Sequence, residues 1–425
     1  MLSRPLVAAL AAVSLAAVGC ATSAGPPVAQ EDLQERVTRL EGEIDAIKNG
    51  NGGAPPAAAV PAPVPAPPVA EAKPAEKPLL TWQVTPDITF KPGMRLQTRY
   101  EYNTGSNNND ISIARFRLKA SGEVYEIAKY NLEMKIDNTG RSGANPSAAV
   151  ENGWLDFVFS DALVGRAGLY DVPFSRDALT SDSKLLLIDR SLIKDALTSF
   201  GLADNGIGVM ARGRPFGGRF EYMVGAFNND RFDGFRTSSS RRSNLVMPMG
   251  RVAVDLLDPA PPFGYGDYRA SYVGKGQRLS IGANGGWLGN AKIGTTQDFD
   301  IFAWGVDLFF NQGPWTLQAE YDWFRLTGNV DQSNHGWYAQ GGYLLEPLNR
   351  RLDEVAPWFP DVELAVRYQQ TDTKSVPGPN EKQPGIGMNF YIRDHNLKVQ
   401  TDYLFRRYQH ATNEGLYQLQ LQLDF

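Results

Sequence analysis

The chain has 425 residues, of which 42% are hydrophobic, 11% aromatic and 21% charged, with 42 glycines and a formal net charge of -5. Apolar residues are spread thin, and the one apolar run of note, Leu6 to Gly19, is shorter than the roughly 20 residues a bilayer-spanning helix needs, which excludes a multi-pass helical protein. The acidic balance lacks the basic footprint of a nucleic-acid binder, and one cysteine with three scattered histidines (His335, His395, His410) leaves neither a zinc cluster nor a disulfide framework, so no metal and no cofactor is expected.

Residues 1–20 place one early arginine, an alanine-rich apolar core and then small residues in the order of a secretory signal, so the chain is read as exported. Cys20, after Ala17, Val18 and Gly19, resembles a bacterial lipobox, which makes it a lipidation candidate; ordinary cleavage nearby, for instance after Ala24, is the alternative. Over 31–49 the apolar residues Leu33, Val37, Leu40, Ile44 and Ile47 recur at spacings of 4, 3, 4 and 3, which keeps one seam on a helix. Arg36 to Glu41 and Glu43 to Lys48 are placed to pair between parallel neighbours, so a short self-associating coiled coil is expected, against an amphipathic helix lying on another surface. Residues 50–81 are rich in proline and alanine and carry little large apolar surface, which makes them a semi-rigid disordered spacer.

From residue 82 to 425 the texture changes to short segments whose apolar residues keep to every second position. In the last, Tyr417, Leu419, Leu421, Leu423 and Phe425 form one face, and Gln418, Gln420, Gln422 and Asp424 the other. The same alternation runs through Phe116–Ala120, Tyr130–Ile136, Leu155–Phe159, Phe302–Phe310 and Trp315–Trp323. Segments of about 9 to 12 residues with aromatics near their ends predict an all-β transmembrane antiparallel barrel. Sixteen strands are expected, near residues 92, 110, 128, 150, 162, 205, 218, 246, 277, 299, 314, 335, 361, 385, 396 and 415. The connections 258–276 and 346–360 are long for their side of the barrel, and Tyr268–Val273 is an alternative strand that would leave an odd total.

Two stretches, GLYDVPFSRDALTSDSKLLLIDRSLI (168–193) and GLADNGIGVMARGRP (201–215), resemble the phosphate-selective porin O/P family, in which a Pro-Phe-Ser motif leads into a loop with an acid-arginine pair. The terminal Phe425 resembles the signal that outer-membrane assembly machinery reads. The resemblance covers about residues 85–425 and implies a sixteen-stranded homotrimeric porin of the bacterial outer membrane, embedded in its lipid and passing small, phosphate-like anions as solutes. It further implies a third external loop, 172–204, that folds into the lumen. The stalk and spacer lie outside the match, and a periplasmic coiled coil suggests a second, envelope-tethering role.

If the apolar positions face lipid, the alternate ones face water. Arg115, Arg117 and Lys119 then form an inward ladder, with Arg95 and Arg99 beside it and Lys135, Arg166, Arg212, Arg219, Arg251, Arg278, Arg367, Arg393 and Lys398 further round. Loop 172–204 adds Arg176, Lys184, Arg190 and Lys194. Fixed cations of this kind favour anions in a pore, and guanidinium binds phosphate oxygens in a fork. Inward carboxylates, among them Glu101, Glu133, Asp137, Asp156, Glu221, Glu320, Glu363 and Asp402, offer the opposing reading of a neutralised wet wall, and Asp189 with Arg190 offers a loop-fixing ion pair. Gly282–Gly289 lacks the Gly-Lys-Ser/Thr of a phosphate loop and is read as strand. With no Gly-x-Ser-x-Gly nucleophile motif, a barrel enzyme is not expected.

Overall fold

The computed structural model describes residues 81–141, 147–228, 232–233, 236–237, 246–259, 268–293, 297–329, 331–346, 348–349, 356, 359–373, 381–408 and 412–425. The expected leader, Cys20, the 31–49 seam and nearly all of the spacer lie outside them.

Alternating segments become sixteen strands: β1 Ile88–Asn103, β2 Asn108–Val124, β3 Ala128–Thr139, β4 Ser147–Ser160, β5 Leu163–Asp171, β6 Asn205–Gly213, β7 Phe220–Phe227 and β8 Met247–Asp255 make the first half. The second half is β9 Gln277–Ile293, β10 Gln297–Gln312, β11 Trp315–Gly328, β12 Gln332–Leu344, β13 Asp361–Asp372, β14 Glu381–Arg393, β15 Leu397–Tyr408 and β16 Glu414–Asp424. Each pairs antiparallel with the next, and β16 returns to β1 in the register Asp424↔Arg95 through Leu416↔Asn103, so the sheet closes and no wall strand keeps a free edge. A four-residue strand, Trp82–Thr85, folds back onto β1 outside this count. Every expected strand is present, but lengths run from 8 to 17 residues rather than 9 to 12. Pairing does not stop where the apolar band stops: polar Asn108, Asn109 and Asp110 open β2 and pair with Asn103, Tyr102 and Glu101.

The period of two sorts the side chains as expected. Arg117 is 2% exposed inside the barrel while Leu118, its neighbour, is 49% exposed outside. In β16, Gln418, Gln420 and Gln422 are buried inside while Leu419 and Leu421 face out. Phe302, Trp304, Val306 and Leu308 continue the apolar outer band, which is what contact with hydrocarbon requires. Phe425 ends the chain on this outer face, and its N–H and C=O exchange 3.0 Å hydrogen bonds with those of Met94.

Two insertions fill much of the interior. Loop 172–204 joins β5 to β6 and carries α1 Arg176–Leu179, a 3-10 turn Asp182–Lys184 and α2 Leu192–Ser199, with Ser191 capping α2. It turns inward because its own apolar residues need cover: Leu186 and Leu187 pack with Ala270, Ala365, Leu404 and Leu416, and Phe174, Ile193, Leu197 and Phe200 pack with Met210, Met223, Phe324 and Tyr338. Leu186, Leu187 and Ile188 are almost fully buried, each contributing about 1.5–3 kcal/mol. Gly342 makes room for this wedge, since a Cβ there would sit 3.0 Å from Leu186 Cδ1. From the opposite end, Tyr268–Val273 also enters the lumen. It is not a wall strand: Tyr268 bridges Thr180 in parallel, and Ala270 N–H donates to the Lys184 carbonyl at 3.0 Å. The even strand count therefore stands, and the unusual length of that connection is the length needed to reach the inner loop.

Candidate functional site

Open space lies between loop 172–204 and the wall, chiefly its strands β1–β6, with Gln383 of β14 and Arg406 of β15 joining the lining. A cavity of about 410 Å³ is lined by Arg99, Arg115, Arg117, Lys135, Arg141, Arg190, Lys194 and Arg406, against Glu151, Asp171, Asp182, Asp189, Asp195 and Asp204. A smaller one of about 90 Å³ lies toward the barrel end that carries Phe425, with Arg95, Arg166, Arg190, Arg212 and Arg214 against Glu133, Glu151, Asp171 and Asp182. Glu151, Asp171, Asp182 and Arg190 border both, so they stand where the two cavities meet. Cations outnumber carboxylates in each lining.

The ladder is inward, and each rung meets a carboxylate. Arg115 Nε lies 3.2 Å from Asp182 Oδ2. Arg117 pairs with Asp137, and also with Glu133 at 3.3 Å and Glu151 at 3.5 Å. Lys119 pairs with Asp424, which also holds Arg95 at 3.1 Å. Arg99 reaches Asp189 at 2.9 Å and Gln420 at 3.0 Å. Further round, Arg166 grips Asp156 bidentately at 2.6 and 2.8 Å with its guanidinium 3.6 Å from the Trp154 ring centre, and Arg212 shares the same carboxylate at 2.9 Å.

The loop cations divide. Arg190 bonds Asp182 at 2.9 Å and donates to the Asp177 carbonyl, while Lys194 sits half-buried on the larger cavity. Arg176 is packed away from both cavities, 4.3 Å from the Phe309 ring centre and 4.8 Å from that of Tyr268. Lys184 lines neither cavity; its backbone carbonyl anchors Ala270. Asp189 and Arg190 are not partners of each other: Asp189 turns to Arg99 in the wall and Arg190 to Asp182, because consecutive residues of an extended segment point apart. Burial pushes the Asp182 carboxyl up, but Arg115 and Arg190 overcome it and hold the group well below the usual carboxylate range. Asp189 is likewise lowered, burial being outweighed by Arg99 and Arg115.

Two expected lumen cations lie elsewhere. Arg219 precedes β7 and is exposed at the barrel end that carries Phe425, donating to the Leu257 carbonyl at 2.7 Å, and Arg393 is exposed where β14 ends. Alternation holds only while a strand holds. The same limit hid Glu151. Pairing in β4 passes from Asn152 to Val150 opposite Glu133 and Met134, so Glu151 is a bulge residue and joins Asn152 on the inside, next to Lys135 and Arg117. Arg214, one step beyond β6 and in phase with Arg212, was legible by extending the alternation; it bonds Glu221 with its Nε at 2.7 Å. Asp307, in phase between outward Val306 and Leu308, pairs with buried Arg251.

The arrangement places two charged cavities beside a loop whose position is fixed at several points. Glu320 on β11 accepts the N–H groups of Arg176 at 2.9 Å and Asp177 at 3.0 Å. Asp402 accepts that of Ile188 at 2.8 Å, and Arg367 donates to the Asp189 carbonyl at 2.7 Å.

Comparison with known proteins agrees with this geometry. The family model described as phosphate-selective porin O and P matches residues 90–425. An uncharacterised protein of Aquifex aeolicus (strain VF5) is 24% identical over 374 residues, covering 79% of this chain and 87% of its own. Two solved structures share the fold: an anion-selective porin from Comamonas acidovorans (10% identity, TM-score 0.52, 80% of this chain and 100% of that one) and the trimer form of OmpT from Vibrio cholerae (12%, 0.50, 80% and 100%). The chain belongs to the phosphate-selective porin O and P family, and is an outer-membrane porin channel.

Proposed function

We propose that this porin is a passive, water-filled channel that prefers small anions, phosphate-like ones among them. The supporting observation is the lining of the larger cavity: eight cations, six of them arginine, against six carboxylates among the described residues. Fixed guanidinium groups replace part of an anion's hydration while their paired carboxylates keep each site weak enough to release it. The family's description and the anion-selective relative point the same way. The test is the reversal potential in a planar bilayer under a potassium chloride gradient. A potential displaced toward that of chloride is expected, and displacement toward potassium refutes the reading.

A weakly selective general porin is the second reading, favoured by the carboxylate that each ladder cation meets. It is told apart by the size of the displacement, which then stays near zero. A homotrimer is proposed by family resemblance and by the trimeric relative; light scattering in detergent should give three chains per particle, and a single-chain mass overturns it. The 31–49 seam is proposed as a periplasmic coiled coil that strengthens the trimer and tethers the envelope, with Cys20 as its lipid anchor and Phe425 as the assembly signal.

A further inference from the structure

At the junction between the two cavities, which Glu151 and Asp171 also border, Asp182 lies between two guanidinium groups, that of Arg190 bordering both cavities and that of Arg115 lining the larger one. Arg115 projects from the barrel wall and Arg190 from the inner loop; Asp182, in the 3-10 turn of that loop, takes Arg115 on Oδ2 at 3.2 Å and Arg190 on Oδ1 at 2.9 Å. All three side chains keep contact with water, at 19%, 13% and 15% exposure. A carboxylate held between two guanidinium groups is the coordination a permeating oxyanion would itself find there.

We infer that Asp182 is a specificity-determining residue of this channel, a built-in competitor that occupies the anion position between Arg115 and Arg190 and is displaced in part by each passing anion. The inference rests on the proposed anion path, and it assigns Asp182 a sign opposite to that of the cations: it weakens binding at the charged junction and so speeds release. Among the described residues no other carboxylate joins a wall arginine of the ladder to a loop arginine. Asp189 takes Arg99 from the wall, but its loop neighbour Arg190 has turned to Asp182. The carboxyl remains ionised, because Arg115 and Arg190 more than offset its burial, so the competitor is always charged at working pH.

The experiment compares wild type, Asp182→Asn, Asp182→Glu and Arg190→Gln in planar bilayers, each first shown to be folded by heat-modifiable migration on gels. Asp182→Asn should raise the chloride-to-potassium permeability ratio by about threefold or more, the effect of removing one unit charge some 7 Å away through a water-like dielectric. Inorganic phosphate should then block chloride current at a several-fold lower concentration. Asp182→Glu should behave as wild type, and Arg190→Gln should lower the ratio. An unchanged or lowered ratio in folded Asp182→Asn overturns the inference, as does Asp182→Glu behaving like Asp182→Asn, which would make shape rather than charge responsible. If Asp182→Asn does not fold, an unchanged ratio in Arg190→Gln overturns it instead. The wild-type potential separately decides the anion path: a cation-selective wild type refutes that path even where Asp182→Asn still shifts toward anions.

Discussion

Arg95 in the first strand and Asp424 in the last are direct register partners, with Nε 3.1 Å from Oδ2, and the bond spans the seam at which the barrel closes. The same carboxylate takes Lys119 from β2, so one acid near the end of the chain ties three consecutive strands of the cylinder together on their lumen side. Backbone pairing alone would close the seam. The shared carboxylate also resists a slip of its register, because a one-residue shift would turn Asp424 toward lipid.

Asp424→Asn should therefore lower barrel stability by about 1–3 kcal/mol, since two buried or half-buried cations lose a charged acceptor, while the barrel still assembles. Urea unfolding in detergent micelles reads this as a lowered midpoint. An unchanged midpoint would mean that the seam is held by its backbone bonds alone.

Facing can be tested on one strand. Leu118→Arg places a charge on the outer band and should cost about 2–4 kcal/mol near the midplane, visible as loss of the heat-modifiable folded form. Arg115→Gln and Lys119→Gln should fold normally, because an uncharged polar group is tolerated in a wet lumen. Arg117→Gln should be the most costly of the inward changes, leaving Glu133, Asp137 and Glu151 without the cation they share. Normal assembly of Leu118→Arg together with failure of the two mild glutamine variants would invert the facing.

Leu187 is 2% exposed in the wedge that seats the inner loop against β13 and β15. Leu187→Ala should weaken that seat by about 2–5 kcal/mol, as for other buried leucines, without touching the wall. Larger and noisier single-channel conductance, with new protease cleavage inside 172–204, is the expected outcome. Unchanged current would mean that the polar anchors from Glu320 and Asp402 suffice.

His395 sits in the turn after β14, with Nε2 2.8 Å from the Ser271 carbonyl of the other inserted segment. Burial, helped by Lys398, pushes its imidazole down to about 3, from 6.5 when unfolded. Between these values the unfolded chain binds a proton that the folded one refuses. Its contribution to stability is thus complete above about pH 6.5 and falls as pH drops through that window. His395→Gln keeps a donor for Ser271 and should flatten this dependence, read as a smaller loss of urea midpoint between about pH 7 and pH 4.5 than in wild type. Equal losses in the two proteins would place the titrating groups elsewhere.

Much of the molecule is legible in the sequence, because a barrel wall is a local pattern. The alternation of Tyr417 to Phe425, which recurs in segments such as Phe116–Ala120 and Phe302–Phe310, states which residues meet lipid and which meet water, and hydrocarbon on one side enforces that sorting strand by strand. The inward facing of Arg115, Arg117 and Lys119 follows from the outward facing of Phe116 and Leu118, with no need to know what lies across the lumen. Where a strand bulges or ends, the rule lapses, and Glu151, Arg219 and Arg393 are the residues it misplaces.

Only the tertiary structure could assign the partners. Asp182 stands about seventy residues from Arg115 in the chain, and no periodicity relates an irregular loop to the wall it touches. Whether a row of cations is a bare ladder or a set of ion pairs depends on distances of a few ångströms between segments brought together by closure. The apolar run Leu185–Ile188, which in an exposed loop would be a liability, is explained only by the hydrophobic cover it finds against Ala365 and Leu404 inside the barrel. Local pattern determines the wall because solvent acts on each residue separately; the path through it is decided by pairings, and pairings belong to the closed fold.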